Sequence, residues 1–208
     1  MARLWESYSP QGCVTARCGW PNDAPIRRLR AGIAYNDGMI VLGIDPGTAT
    51  TGFGVVRYEA GNLTPIDVGV LLTQSGEAMP DRFRSIYDDV NTLLDRYQPD
   101  TVATERLFFH SNVTNAISVG GAVGVILLAF AQRGLPWAEY TPMQVKVAVT
   151  GYGGADKKQV QAQVTRMLKL QETPRPDDAA DALAVAICHA HSYKLGALGY
   201  ASRRGRTT

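Results

Sequence analysis

The sequence predicts an α/β domain in which a mixed sheet, an antiparallel three-strand meander extended by parallel strands, is flanked by helices. Three observations lead there. Consecutive runs rich in Val, Ile, Leu and Thr, namely MIVLGID, FGVVRYEA and LTPIDVGVLLT, are separated by short turns, as in a meander. Beyond them, short strand-like runs alternate with stretches of helical spacing, the pattern of parallel connections. Finally, 208 residues of which 45% are hydrophobic suffice for one domain with a full core and are too few for two large ones.

Residues 1–38 carry Trp5, Trp20 and scattered arginines without either periodicity. They are expected to lie outside the fold, as a disordered extension or as sequence ahead of a true start at Met39. The first strand, 39–45, ends at Asp45 before the turn PGTATTG, and Ala60-Gly61-Asn62 joins the second strand to the third. Phe83, Ile86, Tyr87, Val90, Leu93, Leu94 and Tyr97 then recur at helical spacing between Pro80 and Pro99, an amphipathic helix with its stop signal. A strand at 101–105, a helix at 112–134 that is apolar nearly all round, and a strand at 135–140 follow. Helices are expected near 143–149, 156–168 and 177–194, set apart by Gly151-Tyr152-Gly153-Gly154 and by Pro174 and Pro176. The domain is thus expected over 39–195, with a basic tail at 196–208.

The formal net charge is +2, yet residues 1–38 and the arginines of the tail supply the excess, leaving a slightly acidic body. Such a body does not grip nucleic acid by bulk charge, so any such partner needs a local basic patch. Cys13, Cys18 and Cys188 are an odd count with no disulfide framework, which points to a reducing, cytoplasmic setting. The uncharged stretch 116–131 contains three glycines and falls short of the roughly 20 residues that span a bilayer.

Four acids stand out by position. Asp45 ends an otherwise apolar strand, and Glu105 ends the next parallel strand, at the carboxyl edge where open α/β sheets place their ligands. Asp178 and Asp181 lie three apart on the last helix and share one face, while Ala179, Ala182, Leu183 and Ala186 supply its packing face. Taken singly they have ordinary alternative roles: Asp45 as a turn former before Pro46-Gly47, Asp178 and Asp181 as charges favoured at a helix N-terminus, which is all that is expected of Asp177. Together they converge, because strand 1 is central and the last helix can bring its first turn over the ends of strands 1 and 4. Clustered carboxylates repel unless cations neutralise them. Oxygen ligands suit Mg²⁺ or Mn²⁺, and two such ions about 3.5 to 4 Å apart clamp the attacking and leaving oxygens of a phosphodiester. His110, His189 and His191 offer little material for zinc or serine-hydrolase chemistry, and the last two are expected to be structural.

Four blocks, GIDPGTATTGFGVV, ATERLFF followed by HSN, QVKVAVTGYGGADKKQVQ and DDAADALAVAICHAH, resemble in order and spacing the RuvC-type Holliday-junction resolvases. The resemblance covers about residues 39–192 and implies a ribonuclease-H-like fold and a metal-dependent endodeoxyribonuclease. Such an enzyme resolves four-way junctions by paired nicks through metal-activated water, in homologous recombination and DNA repair. It places Asp45, Glu105, Asp178 and Asp181 on the family's metal-binding acids, Phe108 on its junction-facing aromatic, and Lys146 and Lys157 on its basic residues near the scissile strand. Some members carry His where Asp178 stands. Mg²⁺ or Mn²⁺, two per site, a homodimer, and RuvA and RuvB as branch-migration partners are further implications.

The residues themselves add DNA contacts. Lys146, Lys157, Lys158, Arg166 and Lys169 face a single acid, Asp156, between positions 146 and 169, which supplies the local patch; Arg166 and Lys169 fit a solvated helix face. Phe108 and Phe109 beside a metal site can stack on unpaired bases, worth roughly 1 to 3 kcal/mol per base. Two other readings compete. An actin-like ATP-binding domain shares the Asp-x-Gly-Thr turn but needs a second lobe, and a non-catalytic junction-binding module would have lost carboxylates that are all present here.

Overall fold

A computed structural model describes residues 38–106 and 113–204, with side chains over 38–106 and 116–193. Residues 1–37, with Cys13 and Cys18, the segment 107–112, with Phe108, Phe109 and His110, and residues 205–208 lie outside the described residues.

The five-stranded sheet has the order β3-β2-β1-β4-β5. β1 (Met39–Asp45), β2 (Thr50–Glu59) and β3 (Asn62–Leu72) form the meander, and β4 (Thr101–Glu105) and β5 (Trp137–Tyr140) extend it in parallel from β1. Alternation along β1 divides the core. Ile40, Leu42 and Ile44 pack with α1 (Met79–Tyr97) and α2 (Val113–Gln132), while Met39 and Val41 pack with α3 (Pro142–Thr150), α4 (Lys157–Met167) and α5 (Asp177–Arg204). Asp45 has the parity of Met39 and Val41, so it belongs to the α5 face.

Local chemistry accounts for the element ends. Pro80 opens α1, and Gln98 in the left-handed region closes it. Thr141 with Gln144 caps α3, and Asp156 with Gln159 caps α4, each as a reciprocal capping box. Two expectations shift. β5 begins at Trp137 rather than at 135, because the Leu135 amide donates back to Phe130 as α2 ends. α5 continues past 194 to Arg204, so the tail boundary expected at 195 falls inside a helix; Gly196 and Gly199 weaken that helix by about 1 kcal/mol each, and no proline breaks the run.

Candidate active site

Asp45 and Glu105 are neighbours because β1 and β4 run parallel with Ile44 opposite Thr104. One residue on, both carboxylates leave the carboxyl edge of the sheet on the α5 face. The turn after Asp45 is closed by Thr51, whose hydroxyl donates to the Gly47 carbonyl at 2.6 Å.

The approach of α5 is set by glycine. Gly43 pairs with Gly54, and Asp45 pairs with Gly52, across β1 and β2. A Cβ on Gly43 would stand 2.4 Å from the Ala182 carbonyl oxygen, one on Gly52 2.0 Å from that of Asp178, and one on Gly54 2.8 Å from the Leu183 Cα. The helix backbone therefore rests on a side-chain-free strip of sheet. That seating brings Asp178 and Asp181 over the ends of β1 and β4.

Electrostatics follow from the seating. Burial, then Glu105, Asp181 and Asp178, push the Asp45 carboxyl up to about 8, with Lys157 pulling the other way. Burial, then Asp181, raise Glu105, while Lys146 and Lys157 draw it down. Asp181 is raised chiefly by burial, opposed by its hydrogen bond from Lys157. The Lys157 ammonium, at the start of α4, lies 2.9 Å from Asp181 Oδ2 and 3.3 Å from Asp177 Oδ2. Burial works against the charge of Lys157, but these two partners outweigh it and leave its pKa raised.

An all-carboxylate set of partly buried oxygens fits a hard divalent cation, whose charge would offset both the burial and the carboxylate repulsion that raise Asp45. Among the described residues, no group of three or more His, Cys, Asp or Glu side chains forms a ready-made cage. The acids act on one another through space, and a loose set of carboxylate oxygens suits Mg²⁺, which usually keeps several of its waters.

A match to the family model of the crossover junction endodeoxyribonuclease RuvC over residues 41–189 decides the kinship. The chain belongs to the RuvC family. A RuvC crossover junction endodeoxyribonuclease of Syntrophomonas wolfei is 56% identical over 157 residues, 76% of this chain and 91% of the relative. One from Chloroflexus aurantiacus is 54% identical over 154 residues, 74% of this chain and 94% of the relative. Among solved structures, Thermus thermophilus RuvC in complex with Holliday junction substrate superposes with a TM-score of 0.73 at 40% identity, covering 76% of this chain and 96% of that one. A yeast mitochondrial Holliday junction resolvase, at 17% identity and a TM-score of 0.56, shares the fold. The fold is ribonuclease-H-like, and the chain is an endodeoxyribonuclease of a metal-dependent family.

Lys146, half-buried on α3, lies close enough to act on Glu105, and Lys158 is exposed beside Lys157. His189 is structural: buried on α5, its ring nitrogens lie 2.7 Å from Thr101 Oγ1 and 2.8 Å from the Tyr140 hydroxyl. Burial lowers it to about 4, so the ring is neutral. Thr101 also donates to the Pro136 carbonyl, which assigns the ring proton to Nε2 and leaves Nδ1 accepting from Tyr140. Asp177 departs from expectation. Beyond charging the helix N-terminus, it pairs with Lys157 and accepts from Gln161 Nε2 at 3.0 Å. Nothing in the local sequence announces that contact, because it joins two helices.

Proposed function

We propose that this RuvC-family endodeoxyribonuclease resolves four-way (Holliday) DNA junctions by paired symmetric nicks in homologous recombination and DNA repair. Asp45, Glu105, Asp178 and Asp181 are the metal ligands, and Lys157 is the cationic group beside them. The cofactor is Mg²⁺ or Mn²⁺, two per site, and when bound it supplies a polarised water and stabilises charge on the phosphate oxygens. The observation that carries the reading is the convergence of Asp45, Glu105 and Asp181, each raised above its ordinary carboxylate value first by burial and then by neighbouring acids: Glu105, Asp181 and Asp178 for Asp45, Asp181 for Glu105, and Asp177 and Asp178 for Asp181.

The chain's own groups divide the remaining work. Asp45 and Glu105, on rigid strand ends, fix the site relative to the sheet. Asp178 and Asp181 close it from α5, while Lys157 places positive charge where a phosphate enters. Lys146 and Lys158 hold the backbone of the junction, and Phe108 and Phe109 stack on unpaired bases at the branch. The protein acts as a homodimer in the cytoplasm, with RuvA and RuvB as its branch-migration partners. A non-catalytic role is disfavoured because all four carboxylates are retained.

Asp45→Asn tests the mechanism. It keeps the shape and removes a charged ligand, so cleavage of labelled four-way junctions should fall by orders of magnitude while junction binding survives. Linear duplex, the specificity control, should stay uncut by the unaltered protein. Full nuclease activity in Asp45→Asn would overturn the assignment.

A further inference from the structure

We infer that Asp177 is a positioning residue for Lys157, sharing the ammonium with Asp181 and thereby setting how readily Asp181 takes a divalent cation. The inference rests on the reading of Asp181 as a metal ligand. Asp177 and Asp181 are four apart on α5 and share a face. Lys157 Nζ lies between them, 3.3 Å from Asp177 Oδ2 and 2.9 Å from Asp181 Oδ2. Gln161, one turn along α4 from Lys157, donates to Asp177 Oδ1 at 3.0 Å. One oxygen of Asp177 is thus anchored to α4 while the other is aimed at the ammonium.

Stability does not explain the arrangement. The side chains of Lys157 and Asp177 are 51% and 62% exposed, and a pair so wet contributes little to folding. Asp181 is more enclosed, at 24%, and acts on both Asp45 and Glu105. An ammonium and a divalent cation compete for the same Asp181 oxygen. Asp177 gives Lys157 a second carboxylate one turn away, so Asp181 can turn to a cation while the ammonium stays at the rim of the site. Without Asp177, Asp181 is the one carboxylate among the described residues left within ion-pair distance of Lys157, and the competition sharpens.

The test is equilibrium Mn²⁺ binding to the full chain without DNA, followed by the paramagnetic resonance of free aqueous Mn²⁺. Asp177→Asn preserves an acceptor for Gln161 but removes the charge. It should weaken Mn²⁺ binding by about two- to fivefold, the range expected of one exposed ion pair. Lys157→Met should tighten binding, and adding Asp177→Asn to Lys157→Met should change nothing further. An equal loss with and without Lys157→Met means that Asp177 acts by bulk charge, and no loss in either background means that it does not act; either result overturns the proposal. Asp45→Asn and Asp181→Asn serve as separate controls: if neither alters Mn²⁺ binding, the metal-site reading beneath the proposal has failed instead.

Discussion

Gly52 and Asp178 lie so close that a Cβ on the glycine would stand 2.0 Å from the Asp178 carbonyl oxygen. Gly52 is also the cross-strand partner of Asp45, so one missing side chain governs how near the α5 carboxylates come to the strand carboxylate. Gly52→Ala should push the start of α5 outward, destabilise the fold by about 1 to 3 kcal/mol through overpacking, and slow cleavage by roughly a hundredfold for a displacement near 1 Å. Thermal unfolding and single-turnover cleavage measure the two effects. Unaltered values for both would mean that the helix does not rest on this glycine.

Stability should depend on pH through Asp45. Its carboxyl titrates at about 8 in the fold against an ordinary value of 3.8. A carboxyl raised on folding favours the folded state fully below its unfolded value, and that contribution is lost as pH climbs through the folded value. In chelator, the melting temperature should therefore fall between pH 5 and pH 8. Asp45→Asn should flatten that slope and melt higher than the unaltered protein at pH 8, and Mg²⁺ should restore the unaltered protein there by binding the folded state. Parallel slopes for the two proteins would remove Asp45 from the cause.

Much of this site was legible in the sequence because its positions coincide with interruptions of pattern. Asp45 and Glu105 end strands whose apolar runs have no use for a charge, and Asp178 and Asp181 share a helix face. The glycines carried a readable signal as well, since Gly43, Gly52 and Gly54 interrupt two strands that face each other, and a strand glycine marks a close approach. Asp177 was not legible. Its role depends on Lys157 and Gln161 meeting it from another helix, and a first-turn acid has a sufficient local explanation. The Thr101–His189–Tyr140 contact was hidden for the same reason, being assembled from β4, β5 and α5 by the topology.

Lys146 and Lys158 should separate by salt and rate. Lys158 is exposed, so Lys158→Ala should reduce the slope of log affinity against log salt by about 0.9, one phosphate contact, and leave the cleavage rate of bound junction unchanged. Lys146 also lowers the Glu105 carboxyl through space, so Lys146→Ala should slow cleavage of bound junction in addition. Filter binding over a salt series, paired with single-turnover rates, reads both. Identical behaviour of the two variants would contradict the distinction.

His189 should matter to stability and not to chemistry. Replacing it with Ala removes its contacts with the Thr101 and Tyr140 hydroxyls and opens a buried gap, although Tyr140 keeps a hydrogen bond with Ser192, at a cost of about 1 to 3 kcal/mol. Urea unfolding should register that loss, while cleavage per folded molecule stays near that of the unaltered protein. A large fall in rate with unchanged stability would place the imidazole in the reaction.

The homodimer can be tested on α2. Gly121 and Ala122 turn inward: a Cβ on Gly121 would meet the Phe83 ring at 2.3 Å, and Ala122 is buried. The outward side carries Ile117 and Leu128, 72% and 50% exposed, with open space beside Gly120 and Gly124. Ile117, Gly120, Gly124 and Leu128 follow helical spacing, so they form one apolar strip with no side chain at its centre, a surface on which a second backbone can lie close. A four-way junction offers two symmetry-related strands, and two-fold pairing of one-site protomers is the direct way to cut both. Ile117→Glu with Leu128→Glu should therefore yield a folded monomer in sedimentation at micromolar concentration. Its nicks on the two strands should become uncoupled, so that singly nicked junctions accumulate. Coordinated paired nicking by a protein that sediments as a monomer would refute the dimer, and a dimer that survives both substitutions would move the interface away from α2.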